Sequence, residues 1–294
     1  MFNIKYLKGT NTLITGGGRG IGRAIALEFA KNGANVAIVA LEKYEVENTI
    51  KEIINEGVSA LGIDTDLSQI KNIKKITSQF FKKFDHCDCL VNNVGISHYS
   101  AMIDYPLDKA IKLFQVNFIS YYAIIKEFLP NMIRNKKGKI IMTSSVQGNM
   151  FFNPMKVAYS ASKAAITAMS RCLDAELREY NIQVNTILPG AVDTRLVKIN
   201  AEKGQITPDP KPPSAISPFY LFLASKLSEK KYSGKIINEY LISQILSKIE
   251  EITSPYDFKM SYLKEILKKK LTKGQYSIFR KNQELIEFLL KYQR

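Results

Sequence analysis

The stretch Thr15–Gly22, which reads TGGGRGIG, decides the fold. It overlaps the end of the apolar run TLITG and the start of the helical pattern IGRAIALEFAKNG. Its glycines allow a tight turn and a close approach of the backbone to a pyrophosphate, and the helix that follows presents free N–H groups to an anion. No Lys-Ser or Lys-Thr pair follows the last glycine, so the spacing is not that of a Walker-type loop. The stretch therefore predicts a dinucleotide-binding turn.

Outward from this turn, apolar runs bounded by turn residues alternate with helical patterns as far as about residue 239. This alternation is typical of a parallel sheet covered by helices. We therefore predict the α/β class, with a Rossmann-type doubly wound parallel sheet of about seven strands in a catalytic, dinucleotide-binding domain over residues 1–240. The predicted strands are TLITG, NVAIVA, SALGI, DCLVNN, GKIIMTS, IQVNTIL and GKIINE.

Two segments depart from the rhythm. The proline-rich segment Arg195–Ser217 has little apolar pattern and is predicted to be a mobile loop. Residues 241–294 are predicted to form a C-terminal extension of three amphipathic helices. We expect it to pack on the domain, where it would complete the substrate pocket, or on a second subunit; contact with an anionic membrane surface is the less favoured alternative. The three apolar faces are Ile242, Ile245, Leu246 and Ile249; Met260, Leu263, Leu267 and Leu271; and Leu285, Phe288, Leu289 and Tyr292.

Composition bounds the class of protein. With 294 residues and 46% hydrophobic residues, the chain is long enough to bury a sizeable core. No stretch approaches the roughly 20 apolar residues that span a bilayer. The first residues lack the pattern of a signal peptide, so we expect a cytoplasmic protein.

The net charge of +15 suggests an anionic partner such as nucleic acid, a membrane surface or an acidic carrier protein. However, the excess is spread along the chain, because residues 241–294 carry 11 basic and 6 acidic residues while the rest carries 31 and 21. A solvated basic surface explains this distribution equally well. Nucleic acid is therefore not the expected partner.

The three cysteines do not predict a disulfide framework or a metal site. Cys87 and Cys89 alternate along a predicted strand, and Cys172 stands alone. His86 adds a third possible ligand, but no fourth donor is evident. We predict packing for the first two cysteines, and no bound metal.

At this point a resemblance becomes specific. TGGGRGIG is similar to the TGxxxGIG fingerprint of the short-chain dehydrogenase/reductase family, and further motifs of that family follow in order over residues 10 to about 240. Val94 replaces the alanine of the family's NNAG, and Ser145 precedes the tyrosine by 14 positions where 13 is usual, which leaves Ser144 as an alternative. The matching motifs are Asn92–Gly95 (NNVG), Val116–Asn117, Ser144–Ser145, Tyr159–Lys163 (YSASK) and Pro189–Thr194 (PGAVDT).

The chemistry predicted from these motifs centres on Tyr159 and Lys163. Four residues apart on a helix, they lie on one face, and a neighbouring cation lowers the pKa of a phenol, so Tyr159 is expected to act as general acid or base at a carbon–oxygen bond. The resemblance implies that Ser145 orients the substrate oxygen and that Asn117 anchors a water relay beyond Lys163. The predicted catalytic set is Asn117, Ser145, Tyr159 and Lys163.

The resemblance also implies a nicotinamide cofactor, NAD(H) or NADP(H). Arg19 favours the 2′-phosphate of NADP(H), Glu42 favours the free hydroxyl of NAD(H), and Leu41 at the expected deciding position favours neither; on balance we expect NADP(H). Asp66 is expected near adenine or, alternatively, as a strand-end cap. The predicted cofactor contacts are Gly16, Gly18, Arg19, Gly20, Ile21, Asp66, Leu67, Asn93, Gly95, Tyr159, Lys163, Pro189, Gly190, Val192 and Thr194.

The predicted function is therefore NAD(P)(H)-dependent interconversion of a ketone and a secondary alcohol, in a homo-oligomer (dimer or tetramer). The substrate is a small carbonyl or alcohol compound: a 3-oxoacyl thioester, or a sugar, steroid or lipid ketone. His98, beyond the NNVG turn, is expected to be an exposed loop residue without a partner rather than a substrate contact. The alternative from another class is a protein of this fold that senses the cofactor or binds nucleic acid without turnover.

Overall fold

The computed structural model describes residues 4–207, 209–229, 231–252 and 260–292. The chain divides into two compact units, Met1–Ile237 and Asn238–Arg294. No helix in the described ranges is long and apolar enough to cross a membrane.

The first unit is built on a seven-stranded sheet of order β3-β2-β1-β4-β5-β6-β7. Strand β1 pairs in parallel with β2 on one side and β4 on the other, with Ile14 opposite Val91. Strands β2 and β3 therefore lie on one side of β1, and strands β4 to β7 lie on the other. In such sheets the switch point, here between β1 and β4, is where ligands bind. The prediction of the sheet is confirmed. The strands are β1 (Asn11–Thr15), β2 (Asn35–Ala40), β3 (Ala60–Asp64), β4 (Cys89–Asn92), β5 (Gly138–Thr143), β6 (Ile182–Leu188) and β7 (Ile236–Asn238).

Helices connect successive strands. Helices α1, α2 and α8 pack beside one another, whereas α3, α5 and α6 contribute to a core cluster with the strands. In that cluster, Phe80 of α3 and Phe128 of α5 meet edge to face with ring centres 5.1 Å apart. The helices are α1 (Gly20–Lys31), α2 (Lys43–Asn55), α3 (Ile73–Lys83), α4 (Leu107–Phe114), α5 (Ser120–Asn135), α6 (Val157–Leu177), α7 (Arg195–Ala201) and α8 (Ser217–Ala224).

The prediction that Arg195–Ser217 is a loop is wrong in its first part, because α7 occupies Arg195–Ala201. Further along, backbone hydrogen bonds join Lys211 to Ala191 and Asp193, which follow β6. The four prolines that suggested a loop all follow α7, so they did not oppose the helix.

The described residues of the second unit form four helices instead of the predicted three: α9 (Glu239–Ile252), α10 (Met260–Lys270), α11 (Lys273–Lys281) and α12 (Gln283–Tyr292). The predicted apolar faces of α9 and α12 are buried, except that Tyr292 is partly exposed, and Leu263, Leu267 and Leu271 are buried as well. Nothing is described for the side chain of Met260. Helix α11 is too polar to show a clear stripe, but Thr272 and Gln275 form a capping box at its start.

Candidate active site

The turn between β1 and α1 forms a cradle without side chains. Gly16 and Gly20 adopt φ angles of +69° and +56°, which other residues rarely adopt. A Cβ atom on Gly17 would lie 2.6 Å from the Ile38 side chain, and one on Gly22 would overlap the carbonyl oxygen of Gly16. Both the backbone conformation and the packing therefore require glycine, and the cradle fits the close approach of a pyrophosphate.

Helix α1 begins at this cradle without a cap from its own chain. Arg19 occupies the N-cap position and makes no side-chain cap hydrogen bond, and the first turn has no acidic residue. The first N–H groups of a helix lack intrahelical partners and carry partial positive charge. This helix end therefore suits the diphosphate of a dinucleotide, as the sequence predicted. Ile21, which follows Gly20 in the first turn, is partly exposed.

The side chain of Arg19 is already paired. Its Nη1 lies 2.8 Å from Oε1 of Glu45 in the first turn of α2, and Glu45 also accepts a hydrogen bond from the Tyr44 hydroxyl. Glu45 is largely buried whereas Arg19 is half exposed. Leu41 and Glu42, which were the other two candidates for choosing the cofactor, lie between the end of β2 and Glu45. The ion pair was not foreseen.

Beyond β3, Asp66 caps the turn, since its Oδ1 accepts a hydrogen bond of 2.8 Å from the N–H of Ser68. This contact agrees with the strand-end cap that the sequence left open. The side chain of Leu67 is buried in the core cluster, so only its backbone is left for a ligand.

The end of β4 contacts the glycine cradle. Asn93 donates from its backbone N–H to the Thr15 hydroxyl and from its amide to the Thr15 carbonyl oxygen, at 2.9 and 3.2 Å. Gly95 lies farther along, where an added Cβ would be 3.4 Å from Nζ of Lys163. Glycine therefore leaves the space beside Lys163 open.

The predicted segment Pro189–Thr194 follows β6 at the same edge. The carbonyl oxygen of Pro189 accepts a hydrogen bond of 3.1 Å from Val146 N–H, and Val192 is buried. Thr194 occupies the N-cap position of α7 without a side-chain cap hydrogen bond, and its Cγ2 would lie 3.2 Å from a Cβ on Gly20. Gly190, which lies between Pro189 and Val192, is partly exposed. The segment therefore borders the cradle.

Tyr159 lies in α6, and the hydroxyl of Ser145, which follows β5, is close enough to the Tyr159 phenol to lower its pKa. Ser144 has a different place: it donates to the carbonyl oxygen of Lys163 at 2.7 Å and accepts from Thr167 at 3.1 Å. Ser144 is therefore engaged in holding α6 against β5. Of the two serines, Ser145 is the one that faces the tyrosine.

Lys163 is buried one turn farther along α6. Its Nζ donates to the carbonyl oxygen of Thr143 at 3.0 Å and lies 5.7 Å from the ring centre of Tyr159. It also lies 6.0 Å from the ring centre of Tyr121, whose hydroxyl donates to Val94. Lys163 and Tyr159 thus share one face of the helix, as their spacing predicted.

Asn117 lies in a π-helical turn, Gln115–Ile119, between α4 and α5. Its amide oxygen accepts from Ile96 N–H at 2.8 Å, and its amide nitrogen donates to Ile96 O and to Ser162 Oγ at 3.0 and 3.1 Å. The side chain therefore joins the loop after β4 to α6. Turns of this kind are frequent at functional sites.

The expected effect of Lys163 on the tyrosine is wrong for the chain by itself. Burial raises the pKa of Tyr159, and the hydrogen bond from Ser145 lowers it only in part. Burial also lowers the pKa of Lys163 to about 7, because desolvation disfavours its ammonium form. A cation this easily neutralised does not offset the desolvation of the phenol.

Lys156, which no sequence motif marks, directly precedes α6 and is 4% exposed. Its position three residues before Tyr159 on the same helix pattern was the available signal. The prediction for His98 is also wrong: the residue is partly buried, its Nδ1 lies 3.0 Å from Lys203 Nζ, and its ring meets the ring of Tyr105 edge to face. A partner 105 residues away cannot be read from local sequence.

The cysteines and His86 lie away from this edge of the sheet. Cys87 and Cys89 are buried, and burial raises the pKa of Cys89 to about 12, which keeps it a thiol. His86 contacts Asp85 and Asp88. Within the described ranges, no group of three or more histidine, cysteine or acidic side chains is placed to hold a metal ion.

Comparison with known proteins identifies the family of this chain. The family model described as short chain dehydrogenase matches residues 10–204. The uncharacterized oxidoreductase YhxC of Bacillus subtilis (strain 168) is 35% identical over 231 residues, which cover 75% of this chain and 80% of that protein.

Solved structures agree as well. A short-chain type dehydrogenase/reductase from Mycobacterium marinum superposes with a TM-score of 0.74 and 28% identity, over 80% of this chain and 96% of that one. A 3-oxoacyl-[acyl-carrier protein] reductase with bound NAD from Brucella melitensis gives a TM-score of 0.72 and 31% identity, over 81% and 92% of the two chains. The chain therefore belongs to the short-chain dehydrogenase family.

Proposed function

We propose that this protein transfers hydride between a nicotinamide cofactor and a carbonyl or secondary alcohol carbon, with Tyr159 as the general acid or base. The observation that carries the proposal is the proximity of the Tyr159 phenol both to the Ser145 hydroxyl and to the buried Lys163. A hydroxyl pair of this kind binds one carbonyl oxygen from two sides. Family membership supports the same reaction class.

When bound, the nicotinamide ring supplies or accepts the hydride, while the protein supplies position and a proton. In the reducing direction, Tyr159 donates its proton to the carbonyl oxygen, which becomes the alcohol. Ser145 donates a hydrogen bond to the same oxygen and orients it. The proton returns to Tyr159 in the oxidising direction.

Lys163 and Asn117 hold the other side of the site. When Lys163 is protonated, its ammonium lies close enough to the Tyr159 ring to stabilise negative charge on the phenolate. Ribose hydroxyls are the expected acceptors for its remaining N–H groups. Asn117 keeps the loop after β4 against α6, and the water relay implied by the family resemblance is proposed to begin there.

For the cofactor, the ion pair argues against the initial expectation of NADP(H). Arg19 is the cation that the expectation relied on, and Glu45 neutralises it at 2.8 Å. A 2′-phosphate at this place would have to compete with the Glu45 carboxylate for Arg19. We therefore propose that NAD(H) serves at least as well as NADP(H); the relative from Brucella melitensis has NAD bound.

We also propose that the protein is a homo-oligomer, dimer or tetramer. The turn before α4 and α4 itself expose large apolar side chains, and exposed apolar patches often mark contacts between subunits. These side chains are Met102, Ile103, Leu107 and Ile111. A molar mass from light scattering equal to that of one chain would contradict this proposal.

The experiment that tests the function is the exchange Tyr159→Phe. We expect the unchanged protein to reduce members of a panel of ketones with NADH or NADPH. The absorbance of the reduced nicotinamide measures the rate. Loss of a general acid should lower kcat by about 10²- to 10⁴-fold. Cofactor binding, measured by fluorescence, should be retained. Full turnover by the Phe variant would overturn the proposal.

A further inference from the structure

Two neighbouring lysines, Lys156 and Lys203, form a positive cluster at a cleft near Tyr159. Lys156 belongs to a cavity of about 250 Å³ and is almost fully buried there. Nζ of Lys203 lies 3.0 Å from Nδ1 of the neighbouring His98. The other residues lining the cavity are Tyr99, Asn153, Pro154, Gly204, Gln205 and Ile206.

The ammonium of Lys156 is only partly satisfied by the chain. It donates one hydrogen bond, of 2.8 Å, to the hydroxyl of Ser97, and it lies over the rings of Tyr99 and Tyr159 at 5.3 and 5.5 Å. An ammonium group has three N–H donors. Among the residues described, no carboxylate lies within ion-pair distance of it. Two donors therefore remain for a ligand.

The neighbours of Lys156 increase the positive field instead of offsetting it. Burial lowers the pKa of Lys156 to about 8, and the charge of Lys203 is the second cause of this shift. Burial comes first for His98 too, and Lys203, Lys109 and Lys156 then lower its pKa further. Like charges held this close are stabilised when an anion enters between them.

The backbone before Lys156 fixes its direction. Met155 has a φ angle of +63°, in the left-handed region that non-glycine residues seldom adopt, and its carbonyl oxygen accepts a hydrogen bond of 3.1 Å from Ser100 N–H. Strained backbone of this kind persists where the surroundings hold it, often at ligand sites. The chain therefore keeps Lys156 at the cleft at a cost to backbone conformation.

We propose that the substrate carries an anionic group, carboxylate or phosphate, which binds to Lys156 and Lys203 while its carbonyl oxygen binds to Tyr159. This inference rests on the proposed function of Tyr159. Lys156 lies against the Tyr159 ring, so the anionic group and the carbonyl belong to one small molecule. A charged substrate distinguishes this cleft from one built for a neutral steroid or sugar.

The test compares charged and neutral substrates of the same shape. Rates of reduction are measured for the unchanged protein, Lys156→Met and Lys203→Met. The substrates are short-chain oxo acids, their methyl esters and a ketone phosphate. Lys198→Met is the matched control, because it removes the same charge from α7 but the lysine already pairs with Asp193. Loss of a buried ion contact should lower kcat/KM for the acid about 100-fold in Lys156→Met, mainly through KM.

Reduction of the ester should fall far less than reduction of the acid in Lys156→Met, and the Lys198→Met control should keep the preference for the anion. Whichever anion loses more activity in Lys156→Met identifies carboxylate or phosphate as the group bound. Equal losses for acid and ester, or no preference for the anion in the unchanged protein, would overturn the inference. A failure of the proposed function looks different: Tyr159→Phe would then reduce acid and ester alike at the full rate.

Discussion

The ammonium nitrogen of Lys163 lies 3.0 Å from the backbone carbonyl oxygen of Thr143. A neutral carbonyl compensates a buried charge less than a carboxylate does, and burial accordingly lowers the pKa of Lys163 to about 7. Near neutral pH, the free protein therefore holds this lysine in both protonation states. The carbonyl fixes the position of the nitrogen without fixing its charge.

We expect this burial to make the stability of the cofactor-free protein depend on pH. The pKa of Lys163 is about 7 in the fold and 10.5 ordinarily, so the unfolded state binds more protons between these values. The free energy of unfolding should therefore rise with pH across this window, by up to about 1.4 kcal/mol per pH unit from this group. Below about pH 7 both states are protonated, and the full penalty of burying the charge is present. Denaturant unfolding at several pH values measures the effect.

The variant Lys163→Met should flatten this dependence. Lys139 and Lys156, whose pKa values burial lowers to about 8, contribute with the same sign, so some slope should remain. The exposed Lys126 gives the control Lys126→Met, which changes the net charge equally and should leave the slope unchanged. Identical slopes for the unchanged protein and Lys163→Met would show that the buried lysine is not the source.

The two adjacent serines should separate activity from stability. Ser145→Ala removes the hydroxyl that faces Tyr159 and should lower kcat by about 10²-fold, with little effect on unfolding. Ser144→Ala removes the hydroxyl that donates to the Lys163 carbonyl oxygen and accepts from Thr167, and should cost about 1 kcal/mol of stability. Activity assays and denaturant unfolding on both variants check this. The reverse assignment, with Ser144→Ala inactive but stable, would contradict it.

Much of the fold could be predicted because its signals are local. The strands are continuous apolar runs, and the glycines of the first turn stand at positions where a Cβ atom would collide. The four catalytic candidates were found by resemblance to a family, and Ser145 was preferred over Ser144 only on spacing. Helix α11 was missed because polar side chains conceal its periodicity.

What the sequence could not predict depends on distance in space. Arg19 and Glu45 are 26 residues apart, and Lys203 and His98 are 105 apart, so neither contact has a local pattern. The sign of the Tyr159 pKa shift also escaped prediction. It depends on the balance between burial and the nearby charge, and burial is known only once the fold is known.

Glycine 22 should be indispensable to the cofactor cradle. A Cβ there would lie 2.6 Å from Nδ2 of Asn93 and overlap the Gly16 carbonyl oxygen, so Gly22→Ala must displace the turn. We expect a loss of about 1–3 kcal/mol of stability from overpacking and strongly weakened cofactor binding. Calorimetric titration with NADH and thermal unfolding measure the two effects.

A matched control lies in α11, where a Cβ on Gly274 would meet nothing within 4 Å. Gly274→Ala makes the same chemical change in a helix and should stabilise the protein by up to about 1 kcal/mol. If Gly22→Ala instead bound NADH normally, the close contact in the turn would not matter for the cofactor.

The last prediction concerns the choice between the two cofactors. Glu45→Gln keeps the size of the side chain but removes the charge that neutralises Arg19 at 2.8 Å. The freed guanidinium should attract a 2′-phosphate, so the ratio of kcat/KM for NADPH to that for NADH should rise about tenfold, equivalent to about 1.4 kcal/mol. Steady-state rates at equal substrate concentration give this ratio.

The matched control is Glu42→Gln, three residues earlier and outside the ion pair. It removes the same charge near the end of β2, so it should change the ratio less than Glu45→Gln does if the pairing with Arg19 is decisive. A larger effect at Glu42 would mean that the ribose is bound there and that Glu45 serves only to anchor α2. Replacing Arg19 by Met in the Glu45→Gln background should abolish the gain for NADPH, because no cation of this pair would then remain for the phosphate.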